Sequence, residues 1–217
     1  MTKLLKKEFT LALHPTAYFF LCFCLFVFIP NYPYEVMFFF SCLSVFFTCL
    51  NGRENKDLLF SCMLPVRKKE VAYARIISTV IMQLSLIALA ACAVAVKNLV
   101  PAVNAANLAG LDANAALIGE GFLILGVFNI VFFPIYFSSP DKVGVPFVIA
   151  SACVFVLIAV SVSLCAAVIG FKNTFDTPDP IFIGGKMIFT SVCAVIYALF
   201  TVLSADLSAK KFEKVNL

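Results

Sequence analysis

The chain has 217 residues, 63% of them hydrophobic and only 13% charged, with 16 Lys+Arg against 12 Asp+Glu for a net charge of +4. Ordinary globular domains run to about 45–50% apolar and about 25% charged. A soluble protein of this length has too little interior to hide so much apolar surface, and it offers no soluble domain on which a basic patch gathers for nucleic acid.

The chain reads as an all-α integral membrane protein. Spanning structures are helices or closed barrels. Barrel strands alternate apolar and polar residues, whereas Phe147–Ile169 is apolar on nearly every side.

In chain order, Met1–Leu13 places Leu4, Leu5, Phe9, Ala12 and Leu13 at helical spacing, with Lys3, Lys6, Lys7 and Glu8 on the other side. A short basic amphipathic helix of this kind lies in the membrane interface. A signal peptide also starts with lysines before an apolar core, but no small-residue cleavage site followed by a soluble domain is present. His14-Pro15 restarts the chain, with proline suited to the first turn of a helix.

Spans are predicted at about Thr16–Ile29 and Glu35–Leu50, joined by the Pro30-Asn31-Tyr32-Pro33 turn. Both are short against the roughly 20 residues a bilayer asks for. The stretch Asn51–Arg75 follows, with Arg53, Glu54, Lys56, Asp57, Arg67, Lys68, Lys69, Glu70 and Arg75. So many charges place residues 51–67 outside the lipid. The same stretch carries Leu58, Leu59, Phe60, Met63, Leu64 and Val66, an apolar set that a merely solvated loop does not need. Further spans are predicted at about Lys68–Val96, Leu117–Phe137, Val145–Ile169 and Ile181–Leu203. Pro101–Ala116 is a small-residue connection with room for a short surface helix, Phe171–Pro180 a polar loop, and Lys210–Lys214 a basic tail.

Six spans put both termini on one side. That side collects Lys3, Lys6, Lys7, Arg53, Lys56, Arg67, Lys68, Lys69, Arg75, Lys142, Lys210, Lys211 and Lys214, against Lys97, Lys172 and Lys186 on the other. The positive-inside rule makes the first side cytosolic.

Chemistry by this polypeptide is not expected. His14 is the sole histidine, HExxH and the P-loop pattern are missing, and the carboxylates sit near span ends or in loops. The nine cysteines lie mostly in apolar runs, where Cys acts as a small hydrophobe, and Cys22 and Cys24 lack a metal-type spacing. A secondary carrier usually needs ionisable groups inside the membrane, but the spans hold mainly uncharged Gln83, Ser85, Asn129, Ser161, Ser163, Thr190, Ser191 and Thr201. Interhelical hydrogen bonds account for most of these. Asn129 with Pro134 marks either a simple bend or a bend in a transport path, since proline frees a carbonyl about one turn earlier. The phenylalanines, among them Phe39 and Phe46, line a greasy route or face lipid. Glu35 and Glu120, near the ends of their spans, either attract a cationic cargo or compensate helix N-termini.

Asn51-Gly52-Arg53-Glu54-Asn55, Met63-Leu64-Pro65-Val66, Lys68-Lys69-Glu70, Ala74-Arg75 and Phe128–Phe137 together resemble the permease subunits of bacterial ABC-2 type exporters. The likeness is greatest to small permeases working with a separately encoded ATPase, including exporters of phenol-soluble modulins and of antimicrobial peptides. The resemblance implies the ABC-2 (type V) exporter fold: a single domain over residues 1–217, an elbow helix at 1–13, and a cytosolic coupling helix at about Glu54–Leu64. It implies two permeases, as a homodimer or paralogous heterodimer, and two ABC ATPase subunits in a bacterial plasma membrane. ATP and Mg would be held by those ATPases, with no cofactor or metal bound by this chain. Leu58, Phe60, Met63 and Leu64 would enter an ATPase groove, Arg53, Glu54 and Asp57 would fix orientation, and Pro65 would end the coupling helix. The implied function is export of amphipathic or hydrophobic peptides. Export of lipids or drugs, or a non-transporting immunity or assembly role, are the alternatives.

Overall fold

The computed structural model describes residues 2–100, 107 and 110–215, and all regular structure among them is helical. Part of the predicted Pro101–Ala116 connection, residues 101–106 and 108–109, lies outside the described residues. Helix α1 (Thr2–Lys7) runs into a π-helical turn at Glu8–Ala12, and α2 (Thr16–Leu21) into a 3-10 turn at Cys22–Phe28. Then follow α3 (Val36–Glu54), α4 (Asp57–Met63), α5 (Lys68–Leu99), α6 (Ala115–Tyr136), α7 (Gly144–Ala167), α8 (Ile169–Phe175) and α9 (Ile183–Glu213).

Five of these, α3, α5, α6, α7 and α9, are individually long and apolar enough to cross a membrane. The α1–α2 pair makes a sixth only when taken together, and the two halves meet at 90°. Local chemistry sets the corner. Pro15 precedes α2, and His14 Nδ1 accepts from the Thr16 amide at 3.2 Å while facing Thr16 Oγ1 at 2.7 Å. The only histidine thus caps a helix N-terminus, one of whose amides would otherwise lack a partner.

Helix α6 is the axis of the molecule. It packs along α9 and α7 and touches α5 and α3, and it is the most enclosed span, whereas α7 and α9 present large apolar surfaces outward. Its buried face stacks Phe128 on Phe132 at 4.9 Å and Phe132 on Tyr136 at 5.6 Å, neighbours at the i, i+4 spacing. Outward Val156, Ile188 and Val202 suit lipid, where apolar exposure costs nothing.

Helical continuity differs from the sequence reading in three places. The second span is predicted to end at about Leu50, and helix α3 runs past it to Glu54, with Asn55 Nδ2 donating to Asn51 Oδ1 at 2.9 Å. The polar loop from Phe171 begins as helix α8. The basic tail forms the last turn of α9, where Lys210 and Lys211 face the negative end of the helix dipole.

Candidate functional site

Both described chain ends meet at the α4 end of the bundle. Lys7 reaches Asp57 at 2.6 Å, and Lys68 Nζ donates to the Val215 carbonyl at 2.6 Å. Helix α4 is separated from α3 by a two-residue turn in which Lys56 is left-handed at φ 51°. An L-residue pays about 1–2 kcal/mol for that conformation, so tertiary contacts must hold the turn.

Those contacts centre on Arg75. Seven residues into α5, its side chain is fully buried, although the sequence reading grouped it with the charges outside lipid. Its Nε and Nη2 donate to Glu8 of the π-helical turn, and Nη2 also donates to Asp57 at the start of α4. Lys7 closes the set, bonding Glu8 at 3.1 Å, Asp57, and Ser61 Oγ at 2.7 Å. One guanidinium therefore ties three helices together, in the forked geometry that suits arginine to paired carboxylates. Gly52 of α3 makes room for it. A Cβ there would lie 3.2 Å from Arg75 Nη1, and an arginine held by two carboxylates has little freedom to withdraw.

Two faces result on α4. Leu58 and Ser61 turn inward, and Leu58 (6% exposed) belongs to the hydrophobic core. Phe60 (55%) and Met63 (74%) stand outward at the i, i+3 positions of one face, and Leu64 (38%), just past the helix end, is exposed beside them in sequence. The four apolar residues assigned to a partner groove are therefore split. Leu58 is occupied by the fold, because Asp57 and Ser61 are drawn down to Lys7 and Arg75 and bring that face with them. Pro65 follows an extended Leu64 just past the helix end, as the residue before a proline prefers. Arg53 and Glu54 are exposed and 3.9 Å apart, and Arg53 Nη1 approaches the Asp141 carbonyl of the α6–α7 turn at 3.5 Å. Between them lies a cavity of about 240 Å³, bordered by Gly52, Lys56, Leu59, Tyr136, Pro140 and Val215.

Within the span region Asn129 is closed in. Asn129 and Gln83 exchange two amide hydrogen bonds of 2.9 Å, Tyr197 OH donates to Gln83 Oε1 at 2.9 Å, and Asn129 Nδ2 reaches Thr201 at 3.2 Å. Ser204 Oγ donates to the Asn129 carbonyl at 2.6 Å. This cluster joins α5, α6 and α9, and Pro134 sits inside α6 without ending it. Phe39 and Phe46 are half-buried against α7, with Phe39 4.8 Å from Phe155 and Phe46 4.4 Å from Phe147.

At the opposite end, Lys97 donates to Tyr34 OH at 2.7 Å, and Lys186 binds the Thr177 carbonyl and Asp179. Glu35 accepts from the Leu111 amide at 2.9 Å. Asn114 caps α6, accepting from Leu117 N, and donates to the Phe175 and Thr177 carbonyls.

Sequence reasoning missed Glu8, Gly52 and Arg75 as a unit. Its available signal was an arginine placed two turns beyond Lys68 in a helix otherwise turning apolar. The arrangement has no nucleophile–base pair. What it can do is carry force: a displacement of α4 is delivered to α1 and α5 through buried charge pairs.

The family described as ABC-2 family transporter protein matches residues 3–213. A search of curated proteins found no match, and neither did a search of solved structures.

Proposed function

Because the chain belongs to the ABC-2 family of transporter proteins, we propose that it is the permease subunit of an ATP-driven exporter of amphipathic or hydrophobic peptides. Hydrolysis is supplied by separate ABC ATPase subunits, two per transporter, which carry ATP and Mg. Two permeases pair around the translocation path, the α4 end and both termini face the cytosol, and the membrane is a bacterial plasma membrane.

The observation that carries this reading is the outward ridge Phe60, Met63 and Leu64 on a helix latched from behind by Asp57. An exposed apolar ridge preceded in the chain by exposed Arg53, Glu54 and Lys56 suits a protein partner. The latch gives that partner a rigid handle on α1 and α5. Peptide cargo accords with the resemblance.

Co-purification with the ATPase encoded beside it, followed by ATPase assays, tests the reading. Phe60→Asp and Leu64→Asp are expected to abolish complex formation and cut ATPase activity at least tenfold. An intact, fully active complex carrying both substitutions refutes the coupling role of α4. Reconstituted membranes then address cargo, with amphipathic peptides expected to stimulate ATP hydrolysis.

A further inference from the structure

Glu120 lies about a turn and a half into α6 from the end opposite α4 and is 3% exposed. Among the described residues neither of its carboxylate oxygens makes a hydrogen bond of normal geometry, and the Ser161 hydroxyl of α7 lies near enough to act on it. A carboxylate in apolar surroundings is costly unless neutralised or paired with a cation. It borders a cavity of about 200 Å³ between α6, α7, α8 and α9, whose lining includes no basic residue. Apart from Ser161 the rest of that lining is apolar. Three rings stand in it: Phe171 and Phe175 with centroids 4.7 Å apart, and Phe189 5.2 Å from Phe175. Val160 and Leu164 on α7 form part of the wall and are exposed on the outward, lipid-facing side of that helix.

We propose that this cavity binds the ammonium head of a free cationic amphiphile, whose tail leaves past Val160 and Leu164 into the bilayer. The chemistry is complementary at each point. Glu120 supplies the counter-charge, the rings supply negative π-faces that attract alkylammonium groups, and the outer wall matches a hydrocarbon tail. A zwitterionic lipid head suits the cavity less well, because its phosphate would sit beside the same carboxylate. A role for this site in cargo selection rests on the exporter reading; the binding site itself does not.

The protein contains no tryptophan, so Leu164→Trp places a single fluorescent reporter on the rim. Full-length protein in phosphatidylcholine nanodiscs is titrated with 11-bromoundecyltrimethylammonium, whose bromine quenches tryptophan, and in parallel with anionic 11-bromoundecanoate. The expected result is saturable quenching by the cation, weakened at least tenfold by Glu120→Gln, and only linear partitioning of the anion. Glu120→Gln adds no bulk and keeps an acceptor for the Ser161 hydroxyl, and an unchanged melting temperature and emission maximum verify its fold. Equal quenching in Glu120→Gln, or equal saturation by the anion, overturns the site and identifies Glu120 as a protonated packing residue. Glu120-dependent binding without cation-stimulated hydrolysis in an active permease–ATPase complex keeps the site and overturns its role in cargo selection. Loss of the ATPase complex itself, with binding intact, counts against the exporter reading alone.

Discussion

Arg75 and Glu8, 67 residues apart in sequence, form a forked ion pair in which neither side chain is open to solvent. Removing one member of a buried pair leaves the other uncompensated, at a cost of about 3–5 kcal/mol, whereas replacing both with apolar residues is often neutral. Glu8→Met alone should therefore lower the melting temperature sharply. Glu8→Met with Arg75→Met should recover most of it, because Asp57 keeps Lys7 at 2.6 Å. The double variant is expected to fold and yet lose cargo-stimulated ATPase activity in the complex. Thermal unfolding in detergent and the ATPase assay read the two effects separately, and full activity in the double variant would show the pair to be merely structural.

The two faces of α4 should answer differently to truncation. Leu58→Ala opens a hole in the core and is expected to cost about 2–5 kcal/mol. Phe60→Ala removes a ring that touches little within this chain, and its effect should stay within about 0.5 kcal/mol. Denaturation of the isolated permease checks the contrast. Partner affinity should rank the two in the reverse order.

The Gln83–Asn129 amide pair is expected to contribute on the order of 1 kcal/mol, as polar contacts between membrane helices do. Gln83→Leu and Asn129→Leu should each destabilise, and the double variant should lose less than the sum of the singles. A double-mutant cycle measured by thermal unfolding gives the coupling. Strict additivity would show that the two amides do not depend on one another.

Asp176, between α8 and α9, gives a pH dependence. Burial is the main cause that raises its carboxyl above the ordinary range, with Asp112 adding repulsion, against a lowering hydrogen bond from the Asp112 amide at 3.0 Å. Its proton is then held more tightly in the folded chain than in the unfolded one. Between the usual aspartate value of about 3.9 and the raised one, the folded state binds more protons, so this contribution to stability falls as pH rises. Asp176→Asn keeps an acceptor for the amide and should flatten that part of the profile, as followed by melting temperature against pH. An unchanged slope would place the titration elsewhere.

Much of the architecture was legible because lipid imposes simple rules. Apolar runs longer than a soluble helix needs, punctuated by Pro30-Asn31-Tyr32-Pro33 and by charges, mark the spans without reference to tertiary structure. The latch was not legible, for two physical reasons. Glu8 stands four residues after buried Leu4 and shares its inward face, although its charge reads as part of the polar stripe. Arg75 reads as an exposed charge because charges near a helix start usually are, and only three-dimensional pairing shows that its partners come from α1 and α4. Leu58 illustrates the same limit on a smaller scale. Its composition matches Phe60, and only the anchoring of Asp57 decides which of the two faces outward.

The 3-10 extension of α2 has a consequence for the lipid itself. Six α-helical and seven 3-10 residues reach about 23 Å along the axis, while a typical hydrocarbon core is about 30 Å thick. The tighter winding already stretches this short segment further than an α-helix of the same length would go. Its neighbour α5, with 32 residues, reaches about 48 Å. A crossing through this segment alone would require the two leaflets to dimple toward each other, while beside α5 they need not. In that arrangement the bilayer would be of uneven thickness, thinnest along the α2 flank, and the membrane would supply the missing length.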